Sequence, residues 1–149
     1  MAALLRLMST FGKSAIHRIL RSDRRRLYLP GRQYLDLRFG KVSEYDQQLA
    51  DLSKASDLRS LMLVTSELSL AEIMIKPIKM ADVFEQETYK RAITSTDNLT
   101  VVPVNSSILI QAAETRANTK LKLPDAIHAA TAIATNCTTF LTNDGSLEP

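Results

Sequence analysis

Three acidic residues stand out because the residues around them are mostly apolar. Glu72 lies in the run Leu68–Ile75, Asp125 opens an Ala-rich segment, and Asp144 follows a short apolar stretch. Burying a lone carboxylate is costly unless it has a hydrogen-bond partner, a counter-charge or a bound cation. Each of the three therefore indicates either a local structural role or a place in a functional site.

Each acid also fits an ordinary structural role. Ser69 and Glu72 have the spacing of a helix capping box. Asp125 fits a helix N-cap, and Asn143-Asp144-Gly145 is typical of a turn. Taken one at a time, these are the simpler interpretations, so only the joint placement of the three acids can favour a site.

Short apolar runs that predict strands alternate with longer segments that predict helices. The predicted strands are 61–65, 99–104 and 138–142, and the predicted helices are 44–58, 68–75, 80–94, 107–120 and 124–135. This alternation favours an α/β fold with a parallel sheet covered by helices on both faces.

The order of these elements places the three acids at one edge of the predicted sheet. Glu72 lies near the start of a helix that follows a strand, Asp125 at the start of the helix before the last strand, and Asp144 just past that strand. All three positions lie at the carboxyl ends of the strands, where open α/β sheets bind ligands. Converging carboxylates repel one another unless a cation is bound. We therefore expect a site for Mg²⁺ or Mn²⁺, which prefer oxygen ligands, acting on phosphate groups.

Other catalytic arrangements have little support in the sequence. The chain has four glycines and no Gly-rich phosphate loop, which argues against an ATPase or a dinucleotide-binding enzyme. Its single cysteine, Cys137, and its two histidines do not suggest a Cys–His or Ser–His nucleophile. His128 lies one turn after Asp125, so it either braces that carboxylate or packs as a buried helix histidine.

The first 33 residues differ from the rest in charge. They contain eight Lys/Arg and one acid, a net charge of +7, whereas residues 34–149 contain eleven Lys/Arg and fifteen acids, a net charge of −4. We expect 1–33 to be a basic, disordered arm whose removal leaves the fold intact, and 34–149 to be the domain. An organelle transit peptide and an arm that contacts phosphates are the alternatives.

The remaining composition indicates the compartment. One cysteine excludes an internal disulfide and favours a reducing environment, so we expect a cytoplasmic protein. No apolar run approaches the roughly 20 residues that span a bilayer, so we expect no membrane segment.

Three segments of the sequence resemble the acidic motifs of PIN domains. The run Thr65–Ile73 resembles the second-acid motif, Leu123–Ala132 the third, and Phe140–Asp144 the Thr-Asn-Asp motif that carries the fourth. The resemblance is greatest to the VapC-type toxin branch, and it extends over residues 44–147.

This resemblance implies a Rossmann-like PIN fold and an endonuclease that hydrolyses RNA phosphodiester bonds with Mg²⁺ or Mn²⁺. Glu72, Asp125 and Asp144 would hold the metal and carry catalysis. Arg116, Lys120 and Lys122 occupy positions where the family carries basic residues and would meet the RNA backbone, although a solvated helix end is the simpler interpretation of the two lysines. The resemblance also implies a small antitoxin protein that blocks the site, and often a homodimer.

Both ends of the sequence depart from the family pattern. PIN domains open with a strand that ends in an Asp, and the nearest match is Tyr34-Leu35-Asp36, which makes Asp36 the candidate for the first metal carboxylate. The sequence stops at Pro149, where family members continue into one more strand, so we expect a fold incomplete at both ends with an exposed sheet edge. Two hypotheses stay open: an active ribonuclease, and a catalytically inactive PIN-like module that binds RNA or an antitoxin.

Overall fold

The computed structural model describes residues 8–10, 26–39, 46–58 and 60–142. Over these residues, five strands form one sheet and six helices pack around it. The strands are β1 (Met8–Thr10), β2 (Arg26–Tyr28), β3 (Met62–Ser66), β4 (Leu99–Val102) and β5 (Thr139–Thr142); the helices are α1 (Gly31–Phe39), α2 (Asp46–Asp57), α3 (Glu67–Lys79), α4 (Val83–Ala92), α5 (Ser106–Ala117) and α6 (Leu123–Ala134).

The strand order across the sheet is β1-β5-β2-β3-β4, and every neighbouring pair is parallel. The predicted α/β fold with a parallel sheet flanked by helices is therefore confirmed. None of the helices in the described part of the chain is long and apolar enough to cross a membrane.

The central strand β2 faces two separate cores because successive side chains of a strand point to opposite faces. Leu27 and Leu29 belong to a core that includes Tyr34 of α1 and Leu52 of α2. Tyr28, between them, belongs to a second core with residues of α6 and β5. Leu27, Tyr28 and the following Leu29 are at most 1% exposed, so the chain is covered on both faces from Leu27 onward.

Two strands of the sheet come from the first 33 residues, which corrects the domain boundary predicted at residue 34. β2 pairs with both β3 and β5, so the domain includes residues well before 34. The segments 1–7 and 11–25 lie outside the described residues, and the disorder predicted for the basic arm stays a prediction there.

The outer edge of β5 is also occupied. β1 pairs with it in parallel, with Met8 opposite Phe140 and Thr10 opposite Thr142. The sheet edge that we expected to be exposed for want of a final strand is therefore paired, and the strand that covers it comes from the start of the sequence.

The prediction of a strand that ends at Asp36 is wrong, because Tyr34 and Asp36 both lie within α1. The strand that precedes α1 is β2, which ends eight residues before Asp36. It leads through Leu29 and Pro30 into α1, and the Pro30 carbonyl accepts a hydrogen bond from the Tyr34 amide at 3.1 Å. Proline suits a helix start because the first helical amides need no partner within the helix.

The helices α1 and α3 come close together at Gly31. A Cβ atom at this position would lie 2.9 Å from the Cβ and the carbonyl oxygen of Ser69, and 3.0 Å from Cγ2 of Ile73. Since a side chain cannot be accommodated at these distances, glycine allows the start of α1 to rest against α3.

Candidate active site

Helix α6 runs antiparallel to the strands and begins at their carboxyl ends. Near its start, Nδ1 of His128 lies 2.6 Å from the hydroxyl oxygen of Tyr28, the last residue of β2. Near its end, the Thr135 carbonyl accepts a hydrogen bond from Arg26, the first residue of β2, at 2.9 Å. Asp125 lies one helical turn before His128, so it stands at the carboxyl edge of the sheet.

Glu72 reaches the same edge from α3. Its Oε2 lies 3.0 Å from Nε2 of His128, although the two residues are 56 positions apart in the sequence. His128 and Asp125 are three residues apart on one helix, and residues at this spacing share a face. The fold therefore joins Glu72 to His128 and places Asp125 one turn away on the same helix, while the role of the two acids as metal ligands stays a prediction.

The two helix-capping interpretations are wrong. The N-cap of α3 is Ser66, whose hydroxyl accepts from the Leu68 amide at 3.1 Å, and not Ser69, which is buried. The residue at the N-cap of α6 is Lys122, and Asp125 is the third residue of that helix. Neither acid is thus placed at the edge by a capping motif.

A buried polar network extends from His128 into the protein. Tyr28, Ser66, His128 and Thr131 are each at most 2% exposed. Burial raises the pKa of Tyr28 above its usual value, and hydrogen bonding by Ser66 and Thr131 offsets part of this rise. The phenol therefore keeps its proton over the physiological pH range and remains a hydrogen-bond donor.

The partners of His128 determine how a neutral imidazole is oriented between them. An ionised carboxylate has no proton to donate, so Nε2 donates to Glu72. In the neutral ring, Nδ1 is then an acceptor, and the Tyr28 hydroxyl donates to it. His128 is thus a buried helix histidine, as one interpretation had it, and it also contacts a carboxylate, that of Glu72 on another helix.

The segment that follows β2 carries no acid at this edge. The chain passes through Leu29, Pro30 and Gly31 into α1. Asp36 lies farther along α1, where it acts on a different group: burial raises the pKa of Tyr89 in α4 to about 12, and the charge of Asp36 adds to the rise. The structure therefore does not bring Asp36 to Glu72 and Asp125, and across the described ranges no three His, Cys, Asp or Glu side chains are grouped as a metal requires.

The other predicted site residues have the following positions. β5 ends at Thr142, at the carboxyl edge, and Asp144 lies outside the described residues. Arg116 is exposed in the last turn of α5, Lys120 is exposed in the connection to α6, and Lys122 is exposed at the start of α6, one turn before Asp125.

Tyr28 was not predicted to be a residue of this edge. A signal was present, because Leu27-Tyr28-Leu29 places one hydroxyl in a short apolar run. A buried tyrosine hydroxyl usually finds a hydrogen-bond partner. The flanking Arg24-Arg25-Arg26 led us to treat the whole segment as part of a basic arm.

Together, the sheet and its acids define an α/β protein with a candidate ligand site at the carboxyl edge of a parallel sheet. The family model of the PIN domain matches residues 44–148. This match covers more than half of the sequence, so the chain belongs to the PIN domain family. The comparison with curated proteins found no match.

A solved structure with a similar fold is the crystal structure of VapBC2 from Rickettsia felis bound to a DNA fragment from their promoter. The TM-score is 0.60 and the sequence identity 16%, and the match covers 82% of this chain and 91% of the other. At this identity the likeness supports the fold. Because it covers more of the chain than the family match does, it extends beyond residues 44–148.

Proposed function

We propose that this protein is a divalent-metal-dependent endoribonuclease of the VapC type, in which Glu72, Asp125 and Asp144 hold Mg²⁺ or Mn²⁺. The observation that carries the proposal is the contact of Glu72 with His128, which lies one turn after Asp125 on α6. These acids belong to two of the segments that resemble PIN motifs, and the chain belongs to that family.

The chemistry of the donors fits a hard cation. Glu72 and Asp125 offer carboxylate oxygens, which Mg²⁺ and Mn²⁺ prefer, whereas Nε2 of His128 is engaged with Glu72. A bound cation would activate a water molecule and offset the charge that develops on the scissile phosphate. Asp125 lies in the first turn of α6, where the helix dipole stabilises its negative charge.

The exposed basic residues suit the contact with RNA. Lys122 lies one turn before Asp125, and Arg116 and Lys120 lie on the segment that leads to it. Cations at these positions attract phosphates without reading the base sequence. RNA bound there would pass close to the carboxylates.

A second candidate function is favoured by Pro30. It stands two residues after the end of β2, and the PIN resemblance implies that the first acid lies at the end of such a strand. A site without one of its carboxylates has less negative charge and one ligand fewer, so it binds a cation more weakly. A PIN-like module that binds RNA or a small antitoxin without cleaving RNA fits this feature. The antitoxin and a homodimer rest on the VapC resemblance.

The test is cleavage of a mixed cellular RNA by the purified chain with Mg²⁺ or Mn²⁺. We expect Glu72→Gln and Asp125→Asn to lose activity by about 100-fold or more, since each removes a charge that the metal needs. Asp36→Asn is the matched control, because it removes the same charge from the middle of α1 and should retain activity.

Two results would overturn the nuclease proposal. Full cleavage in excess EDTA would show that no metal is needed. If the chain does not cleave RNA with either cation, yet binds RNA or an antitoxin, the second candidate is correct.

A further inference from the structure

Among the described residues, the Glu72 side chain is held at one of its two oxygens. It is 38% exposed, whereas the side chain of His128 is 3% exposed. Within the described residues, the hydrogen bond found for Glu72 is the one between Oε2 and Nε2 of His128, at 3.0 Å. A glutamate on a helix surface otherwise samples several rotamers, so this bond selects one placement of a mobile carboxylate.

His128 is itself held in place by its other ring nitrogen. Nδ1 lies 2.6 Å from the hydroxyl of Tyr28. The Tyr28 ring stacks on Phe140 of β5, with centroids 5.1 Å apart and an interplanar angle of 12°. Three elements are thereby joined by two hydrogen bonds, which run from β2 through α6 to α3.

We infer that His128 is a positioning residue that orients the Glu72 carboxylate for cation binding, with Tyr28 fixing the orientation of the imidazole. This inference rests on the proposed function. Neither residue is a ligand in this arrangement, because Nε2 of His128 donates to Glu72 and the Tyr28 hydroxyl donates to Nδ1. The oxygen of Glu72 that His128 does not hold is then available to the cation.

The physical basis is that a carboxylate already held in one orientation binds a metal with less loss of freedom. In metal sites, removing the hydrogen-bond partner of a ligand lowers metal affinity by about 10- to 100-fold. A purely structural role for His128 would be to satisfy the buried Tyr28 hydroxyl. These two roles use different ring nitrogens, so substitutions at one position can separate them.

The experiment compares Mn²⁺ dissociation constants of folded variants by titration calorimetry. His128→Gln places an amide near the former Nε2 and retains a donor toward Glu72. His128→Asn is shorter, placing its amide near the former Nδ1, so it retains a partner for Tyr28 alone. We expect His128→Asn to raise the dissociation constant about 10- to 100-fold and His128→Gln to stay close to the unmodified protein.

Two further variants complete the series. Tyr28→Phe frees Nδ1 and should weaken Mn²⁺ binding several-fold, less than His128→Asn does. Ile127→Val is the control for packing, because Ile127 is buried next to His128 but belongs to the core between α5 and α6. It should lower the melting temperature and leave the dissociation constant unchanged.

The outcomes separate this inference from the proposed function. If Glu72→Gln and Asp125→Asn abolish Mn²⁺ binding while His128→Asn matches the unmodified protein, His128 does not position Glu72, and the inference fails alone. Equal losses in His128→Asn and His128→Gln also overturn it. If the unmodified protein binds no Mn²⁺, the proposed function and the inference fall together.

A readout independent of metal uses the ¹⁵N signals of the imidazole ring. The inference requires a proton on Nε2 of His128 in the unmodified protein, and the signal is identified by its loss in His128→Gln. Observation of the Nδ1–H form would overturn the inference, because Nε2 would then not donate to Glu72.

Discussion

The strand–helix units β2–α1 and β3–α3 lie side by side in the sheet and differ in what they bring to its carboxyl edge. In β3–α3, Ser66 caps the helix and Glu72 extends to His128. In β2–α1, Pro30 precedes the helix, and its first residue, Gly31, rests against α3. Both units have an apolar strand and a tight turn into a helix, but only one supplies an acid.

The comparison shows that the fold and the site place separate demands on the same turn. The fold needs a residue at position 30 that starts a helix and a residue without a side chain at position 31. Proline satisfies the first demand as well as an acid would. The charge at that position contributes to a metal site and not to the packing of α1 on α3.

The largest effect on stability is expected from deleting the strand of the β2–α1 unit. Deleting residues 1–33 removes β1 and the central strand β2, together with the buried side chains of Leu27, Tyr28 and Leu29. We expect the cooperative unfolding transition to disappear from thermal denaturation followed by circular dichroism. This reverses the expectation drawn from the sequence. A melting temperature within a few degrees of that of the full chain would show that these strands contribute little.

A smaller effect is expected where the two units touch. Gly31→Ala forces a methyl group against the backbone and Cβ of Ser69, and overpacking of this kind costs about 1–3 kcal/mol. Chemical denaturation should show this loss in the free energy of unfolding. The exposed neighbouring residue Arg32 gives the control, since Arg32→Ala should change the free energy of unfolding by less than about 0.5 kcal/mol. Equal values for the two variants would contradict the close approach of α1 and α3.

The smallest effect on stability is expected at the acid of α6. Asp125→Asn removes a charge from the first turn of the helix, where the dipole contributes about 0.3–1 kcal/mol. We therefore expect the free energy of unfolding to fall by about 1 kcal/mol at most, while RNA cleavage is lost. A fall of several kcal/mol would assign Asp125 a structural role instead.

Much of the fold followed from the sequence because apolar periodicity marks the elements from residue 44 onward. The predicted helix 124–135, for example, is observed as Leu123–Ala134. Topology alone also placed Glu72 and Asp125 at one edge. Local pattern did not reveal β2, since three arginines and a proline flank only three apolar residues.

The contacts between side chains could be predicted from the sequence less well than the fold. Asp36 resembled the end of a strand because leucines stand on both sides of it, yet those leucines form the buried face of α1. His128 was considered only in relation to Asp125 because the two are close in sequence, and its contact with Glu72 of another helix was not predicted. Topology predicts which edge a residue reaches, and packing decides which atoms meet there.

The most direct test of the proposed metal site restores an acid to the β2–α1 unit and measures Mn²⁺ affinity. In Pro30→Asp the new residue stands immediately before α1, where both Asp and Asn are favoured, so Pro30→Asn is a control of equal size without the charge. We predict that Pro30→Asp strengthens Mn²⁺ binding by about tenfold or more, because affinity in oxygen-ligand sites rises with the number of charged ligands. RNA cleavage should increase with it, and Pro30→Asn should do neither. Equal Mn²⁺ affinity in the Asp and Asn variants would contradict the claim that the metal site lacks a carboxylate at this turn.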